Sequence, residues 1–112
     1  MIEKSLMAGS TILLVLKLLE QGDLYGYQMI ESLQEQSNNV FELKAGTLYP
    51  LLHTLEQDGA VETYEQQAQG RTRKYYHLTA QGQKLLKQKT AEWQKYAHAM
   101  KDMLGGMSYA GI

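Results

Sequence analysis

Three segments carry the hydrophobic spacing of helices. Two alternating segments then follow, joined by a polar, glycine-containing loop, and one long helix-period stretch comes last. This order predicts a mainly α fold with a small β-hairpin. It is the order of a winged helix-turn-helix with a long C-terminal helix behind it. A chain of 112 residues is the right length for one such unit plus a helical arm.

Met7 to Leu19 reads as the first helix. Ile12, Leu16 and Leu19 share a face, with Leu13 beside them. Gly22 suits its C-terminal stop. Asp23 offers an oxygen to cap a second helix from about Leu24 to Gln36, whose inner face is Tyr27, Ile30 and Leu33. Ser37-Asn38-Asn39 is a turn cluster. Val40 to Leu43 alternates and reads as a brief extended segment. The third helix runs from about Ala45 to Asp58, with Leu48, Leu52 and Leu55 as its buried row and Leu51 at the edge. Pro50 removes a backbone donor, which predicts a kinked or late start with Thr47 near the N-cap. Ala60 to Tyr64 and Arg73 to Leu78 read as strands around the polar loop 65–72. Tyr75 and Tyr76 are adjacent in a strand, so they face opposite sides and one belongs to the core. Thr79 caps the last helix, which extends to about Leu104. Gly105-Gly106 stops it, and the remaining residues are expected to fray.

Composition removes several classes of function. No cysteine is present, which excludes disulfides, thiolate metal sites and cysteine nucleophiles. His53, His77 and His98 lack metal-ligand spacing, and no phosphate-binding glycine motif or nucleophile elbow occurs. The reading is therefore not an enzyme, with no cofactor and no metal. No apolar run reaches the roughly 18 residues of a membrane span. Lys17 interrupts the N-terminal apolar stretch, so that stretch reads as a cytoplasmic helix and not a signal peptide.

The net charge of −1 hides an asymmetry. Residues 1–70 hold three lysines against ten carboxylates, whereas residues 71–101 hold eight cations against Glu92 alone. Such a split hints at a polyanionic partner. A solvated helix face is the plainer account.

The final helix carries Leu86, Trp93, Tyr96, Ala97, Met100, Met103, Leu104 and Met107. From Trp93 onward the spacing is that of a helix–helix seam. A three-helix core is too small to cover a helix of roughly 35 Å. A symmetric dimer would bury the stripe by pairing it with itself. The alternative is a fold back onto the chain's own core, which is expected for Leu85 and Leu86. Trp93, Tyr96, Met100, Met103 and Leu104 are assigned to the seam.

Four blocks carry a resemblance. They are Tyr25-Gly26-Tyr27, Gly46-Thr47-Leu48-Tyr49-Pro50-Leu51-Leu52, Leu55-Glu56-Gln57-Asp58-Gly59, and Gly70-Arg71-Thr72-Arg73-Lys74-Tyr75-Tyr76-His77-Leu78-Thr79-Ala80-Gln81-Gly82. In this order and spacing the chain resembles the PadR family of transcriptional regulators, from about Leu6 to Leu104. The short C-terminal part resembles the compact subgroup that dimerises through a single helix. The resemblance implies a cytoplasmic repressor that binds a pseudo-palindromic operator in double-stranded DNA near its own or a neighbouring promoter. It divides the chain into a DNA-binding domain, 1–79, and a dimerisation helix with a short tail, 80–112.

The residues fit those roles. Arg71, Arg73 and Lys74 lie on the wing, where cations meet phosphate or a narrow groove. Lys44, Thr47, Tyr49 and His53 lie at or near the start of the third helix, off its leucine row. Thr47 suits a base edge and Tyr49 a phosphate, while His53 suits either or is a plain surface histidine. Lys44 departs from the serine or asparagine common in the family, and its charge opposes the helix dipole unless phosphate binds there. Trp93 matches the tryptophan that some drug-sensing members place at a dimer pore, where paired indoles stack planar aromatic compounds. With Met100 it forms the candidate ligand site. Those members carry an acidic residue one turn later, where this chain has Ala97, which removes a reason to select cationic ligands. Trp93 as mere seam packing stays open. The alternative function is a winged-helix module that binds a protein instead of DNA; the three wing cations argue against it.

Overall fold

The computed structural model of the chain describes residues 4–105. Its elements are α1 (Lys4–Gln21), β1 (Leu24–Tyr25), α2 (Gly26–Gln36), α3 (Ala45–Gln57), β2 (Val61–Ala68), β3 (Arg71–Leu78) and α4 (Ala80–Leu104). The strands form one antiparallel sheet in the order β1-β3-β2. This is a winged helix-turn-helix with a long last helix, as the hydrophobic pattern predicts. Gly106, Met107 and the rest of the tail lie outside the described residues.

Leu16 and Leu19 of α1 are buried as their spacing predicts, and so are Val15 and Leu18. The buried surface is wider than one stripe because α2, β3 and α4 all pack against α1. Leu48, Leu52 and Leu55 of α3 complete the centre with Met29, Leu33, Val61, Tyr76 and Leu78. Each fully buried leucine contributes roughly 1.5–3 kcal/mol. Of the adjacent tyrosines, Tyr76 faces this core and Tyr75 faces away.

The start of α2 differs from the expectation. Leu24 and Tyr25 pair with Tyr76 and Tyr75 as the edge strand β1. Tyr25, not Asp23, is therefore the N-cap residue, and the Gln28 side chain accepts its backbone N–H at 3.1 Å. A two-residue strand leaves no periodicity to read; only its distant partner creates it. The inner face of α2 is Gly26, Met29 and Leu33, with Ile30 half-buried, while Tyr27 is 60% exposed.

Asn38 and Asn39 take left-handed φ of 55° and 66° in the expected turn. The next segment, Val40 to Leu43, is not a strand, because no strand lies alongside to pair with it. Its one buried side chain is Leu43. Helix α3 starts on time at Ala45. The carbonyl of Lys44, its N-cap residue, accepts the N–H groups of Thr47 and Leu48 at 3.0 and 2.9 Å. Thr47 is thus inside the helix and does not cap it. Pro50 sits in the second turn on the exposed side, where losing one ladder bond does not end the helix.

The hairpin is longer than predicted. Its strands continue to a two-residue turn, Gln69-Gly70, with φ of 55° and 75°. Positive φ at both positions is the type I′ geometry that matches strand twist. The outer pairs Glu65–Lys74, Gln66–Arg73 and Gln67–Thr72 are polar on both faces. No apolar alternation marks them, so they read as loop.

Thr79 caps α4 as expected, accepting the Gly82 N–H at 3.0 Å and donating to the Gly59 carbonyl at 2.7 Å. Leu86 is buried on the core and Leu85 packs against it. Gly105 ends the helix at φ 67°.

Candidate nucleic-acid interface

Two elements define this surface: the exposed side of α3 and the hairpin. At 100° per residue, the leucine row of α3 turns Gly46, Pro50 and His53 away from the core. Tyr49 and His53 share one edge of that side, and Thr47 lies on the other. All three are exposed, as is Lys44 at the helix start. The Tyr49 ring lies against Gly26, its hydroxyl filling the place a Gly26 Cβ would take. This brings the hydroxyl to the N-terminus of α2, where backbone N–H groups favour an anion. Lys44 caps through no side-chain bond, so its ammonium is left to solvent.

The three wing cations do not form one cluster. Side chains alternate along β3, so Arg71 and Arg73 point to the outer face of the sheet and Lys74 to the inner one. Lys74 reaches Glu56 of α3 at 3.8 Å and lies 5.7 Å from the Tyr76 ring centre. That ion pair is exposed and worth little. Arg73 is half-buried, with its guanidinium 4.7 Å from the centre of the Tyr25 ring. Arg71 is exposed beside the turn.

The outer face holds a group that the sequence reading missed. Asp23 accepts the Tyr64 hydroxyl at 2.7 Å and contacts His77 Nδ1 at 2.9 Å. The hydrogen bond from His77 chiefly holds the Asp23 carboxyl below its ordinary value, with Tyr64 adding to it against partial desolvation. The same carboxylate raises the Tyr64 phenol. Burial raises the Tyr76 phenol on the other face. Tyr64 stacks on Tyr75 at 5.5 Å, and Tyr75 meets Tyr25 edge-on at 5.4 Å. A correct register would have revealed this cluster. The register hangs on the Gln69-Gly70 turn, which composition alone does not locate.

Along α4, Trp93 is 46% exposed, Met100 42% and Met103 83%. Leu104 is exposed and Tyr96 half-buried. The Trp93 and Tyr96 rings lie 5.3 Å apart. The stripe from Trp93 onward is thus largely uncovered by the chain itself. Among the described residues no cluster of His, Cys, Asp or Glu could hold a metal, and no helix is long and apolar enough to cross a membrane.

Fold and surface together define a DNA-binding winged-helix regulator. A model of the transcriptional regulator PadR-like family matches residues 15–88. The chain belongs to this family, whose members are transcriptional regulators and not enzymes. It is similar to the Transcriptional regulator Rv3488 of Mycobacterium tuberculosis, 34% identical over 76 residues, 68% of each chain. An uncharacterized protein of Lysinibacillus sphaericus is 31% identical over 94 residues, covering 83% of this chain and 86% of the relative. Among solved structures, a PadR family transcription regulator from Clostridium difficile superposes with a TM-score of 0.71 at 34% identity, over 84% of this chain and 97% of its own. A transcriptional regulator from Clostridium thermocellum reaches a TM-score of 0.80 at 29% identity, covering 87% and 95%.

Proposed function

We propose that this regulator is a cytoplasmic homodimeric repressor, released from its operator by a planar aromatic ligand. Residues 1–79 act as the DNA-binding domain and residues 80–112 as the dimerisation helix and tail. The observation that carries the reading is the uncovered stripe of Trp93, Met100, Met103 and Leu104 on a helix that projects past its own core. Paired with a second copy, it would set the two α3 helices at a fixed spacing. Two reading helices on one face call for a pseudo-palindrome with half-sites about 10 base pairs apart or a multiple of that. Lys44, Thr47, Tyr49 and His53 would read or clamp the major groove, and Arg71, Arg73 and Lys74 would meet the backbone or the minor groove.

Trp93 beside Tyr96, with Met100 a further turn along, offers an aromatic face and an adaptable apolar lining for a planar molecule. Such a ligand shifts the dimer only through unequal affinity for its DNA-binding and free shapes. The test uses the DNA upstream of the chain's own gene, with repression read from a reporter on that promoter. Wild type is expected to bind it, and Arg71→Ala to lower the log–log salt slope by up to about one. An unchanged slope would remove Arg71 from the interface. Trp93 is the sole indole, so a panel of planar dyes is expected to quench its fluorescence at about one ligand per dimer and to weaken operator binding. Quenching without loss of DNA affinity, or no quenching at all, sinks the sensor role.

A further inference from the structure

We propose that Tyr25 is a positioning residue for the wing, holding the Arg73 guanidinium in place for contact with DNA. This rests on the DNA-binding reading of the hairpin and adds to it a residue that need not touch DNA. Tyr25 is only 8% exposed, yet it lies outside the main core cluster, on the outer face of the sheet. Its ring is the surface on which Arg73 rests, at 4.7 Å.

Nothing else described holds that guanidinium. Arg73 has no ion pair among the described residues. Its Nε–H is enclosed without an acceptor. The ring contact, not a hydrogen bond, therefore sets where the charge sits. A guanidinium over an aromatic face keeps its full charge and remains free to meet a phosphate.

The ring is itself fixed. Tyr75 meets it edge-on at 5.4 Å, Tyr64 stacks on Tyr75 with planes 12° apart, and the Tyr64 hydroxyl donates to Asp23. The series Asp23–Tyr64–Tyr75–Tyr25–Arg73 runs from the α1–β1 link across all three strands to the wing. An arginine on a two-stranded ribbon would otherwise lose side-chain freedom on binding, and a stacked one has already lost it.

The test is a double-mutant cycle on duplex DNA from upstream of the gene, read by fluorescence anisotropy over a salt series. Tyr25→Phe keeps the ring and is expected to bind as wild type. Tyr25→Met keeps the bulk without the ring, and a two- to tenfold loss of affinity is expected, the scale of a cation–π contact. In the Arg73→Ala background the same change is expected to do nothing further, because Tyr25 acts through Arg73. Equal losses in both backgrounds mean a merely structural tyrosine and overturn the proposal, as does wild-type affinity for Tyr25→Met. If Tyr25→Met fails to fold by circular dichroism, Arg73→Lys decides. It keeps the charge but loses the planar stack, so binding at wild-type strength overturns the proposal and weakened binding supports it. Wild type with no affinity for any duplex at low salt would instead overturn the DNA reading of the hairpin, and this role of Tyr25 with it.

Discussion

At Gly82 a missing methyl group decides how α4 leaves the hairpin. An alanine in a helix ordinarily gains up to about 1 kcal/mol over glycine. Here a Cβ would collide with the Ala60 carbonyl oxygen and lie 2.6 Å from Leu78 Cδ1. Gly82→Ala is therefore expected to destabilise by about 1–3 kcal/mol, measured by urea unfolding. An unchanged midpoint would show that the Ala60 junction yields. Asp23 makes a prediction in pH. Its folded pKa lies below its unfolded one, so its contribution is present above the unfolded value and is lost as pH falls through the folded value. Below about pH 4 the wild type is expected to lose stability more steeply than Asp23→Asn. Parallel acid limbs would mean that the clasp to His77 and Tyr64 is silent. By its neighbours in the chain alone, Asp23 is a helix cap. Its partners are 41 and 54 residues away.

The hairpin is the element whose length depends on one turn. Gln69 occupies a left-handed position at φ 55° that asparagine tolerates better. Gln69→Asn is expected to raise stability by roughly 0.5 kcal/mol in thermal unfolding. A loss would contradict the type I′ geometry. Helices were legible as elements because one buried face imposes a period, as in Leu48, Leu52 and Leu55. The wing strands were legible only at Val61 to Tyr64 and Arg73 to Leu78, where a face is buried. Beyond those residues both faces meet water and nothing in the pattern separates strand from loop.

The arrangement of the whole molecule turns on α4. Its first part is anchored by Leu86, and its last part presents Trp93, Met100 and Met103 to solvent. Trp93→Ala with Met100→Asp is expected to give a monomer by sedimentation at micromolar concentration. It is also expected to weaken operator binding steeply, because a lone reading helix loses the second half-site. A variant that remains a dimer would assign the seam to another surface. Both substitutions lie on exposed side chains, so the winged domain is expected to fold unchanged.

The sequence by itself determined the fold class, the leucine row of α3, the Thr79 cap and the family. Each rests on local chemistry or on spacing along the chain: a period, a capping oxygen, a motif at a fixed interval. Tertiary structure alone decided the strand at Leu24–Tyr25, which face of the sheet takes Arg73 and which takes Lys74, and the tyrosine series beneath Arg73. All three follow from the register of β3 against β1 and β2. Register is a relation between distant residues, and a one-residue slip reverses every face, so no local pattern in a ribbon with two polar faces could have specified it.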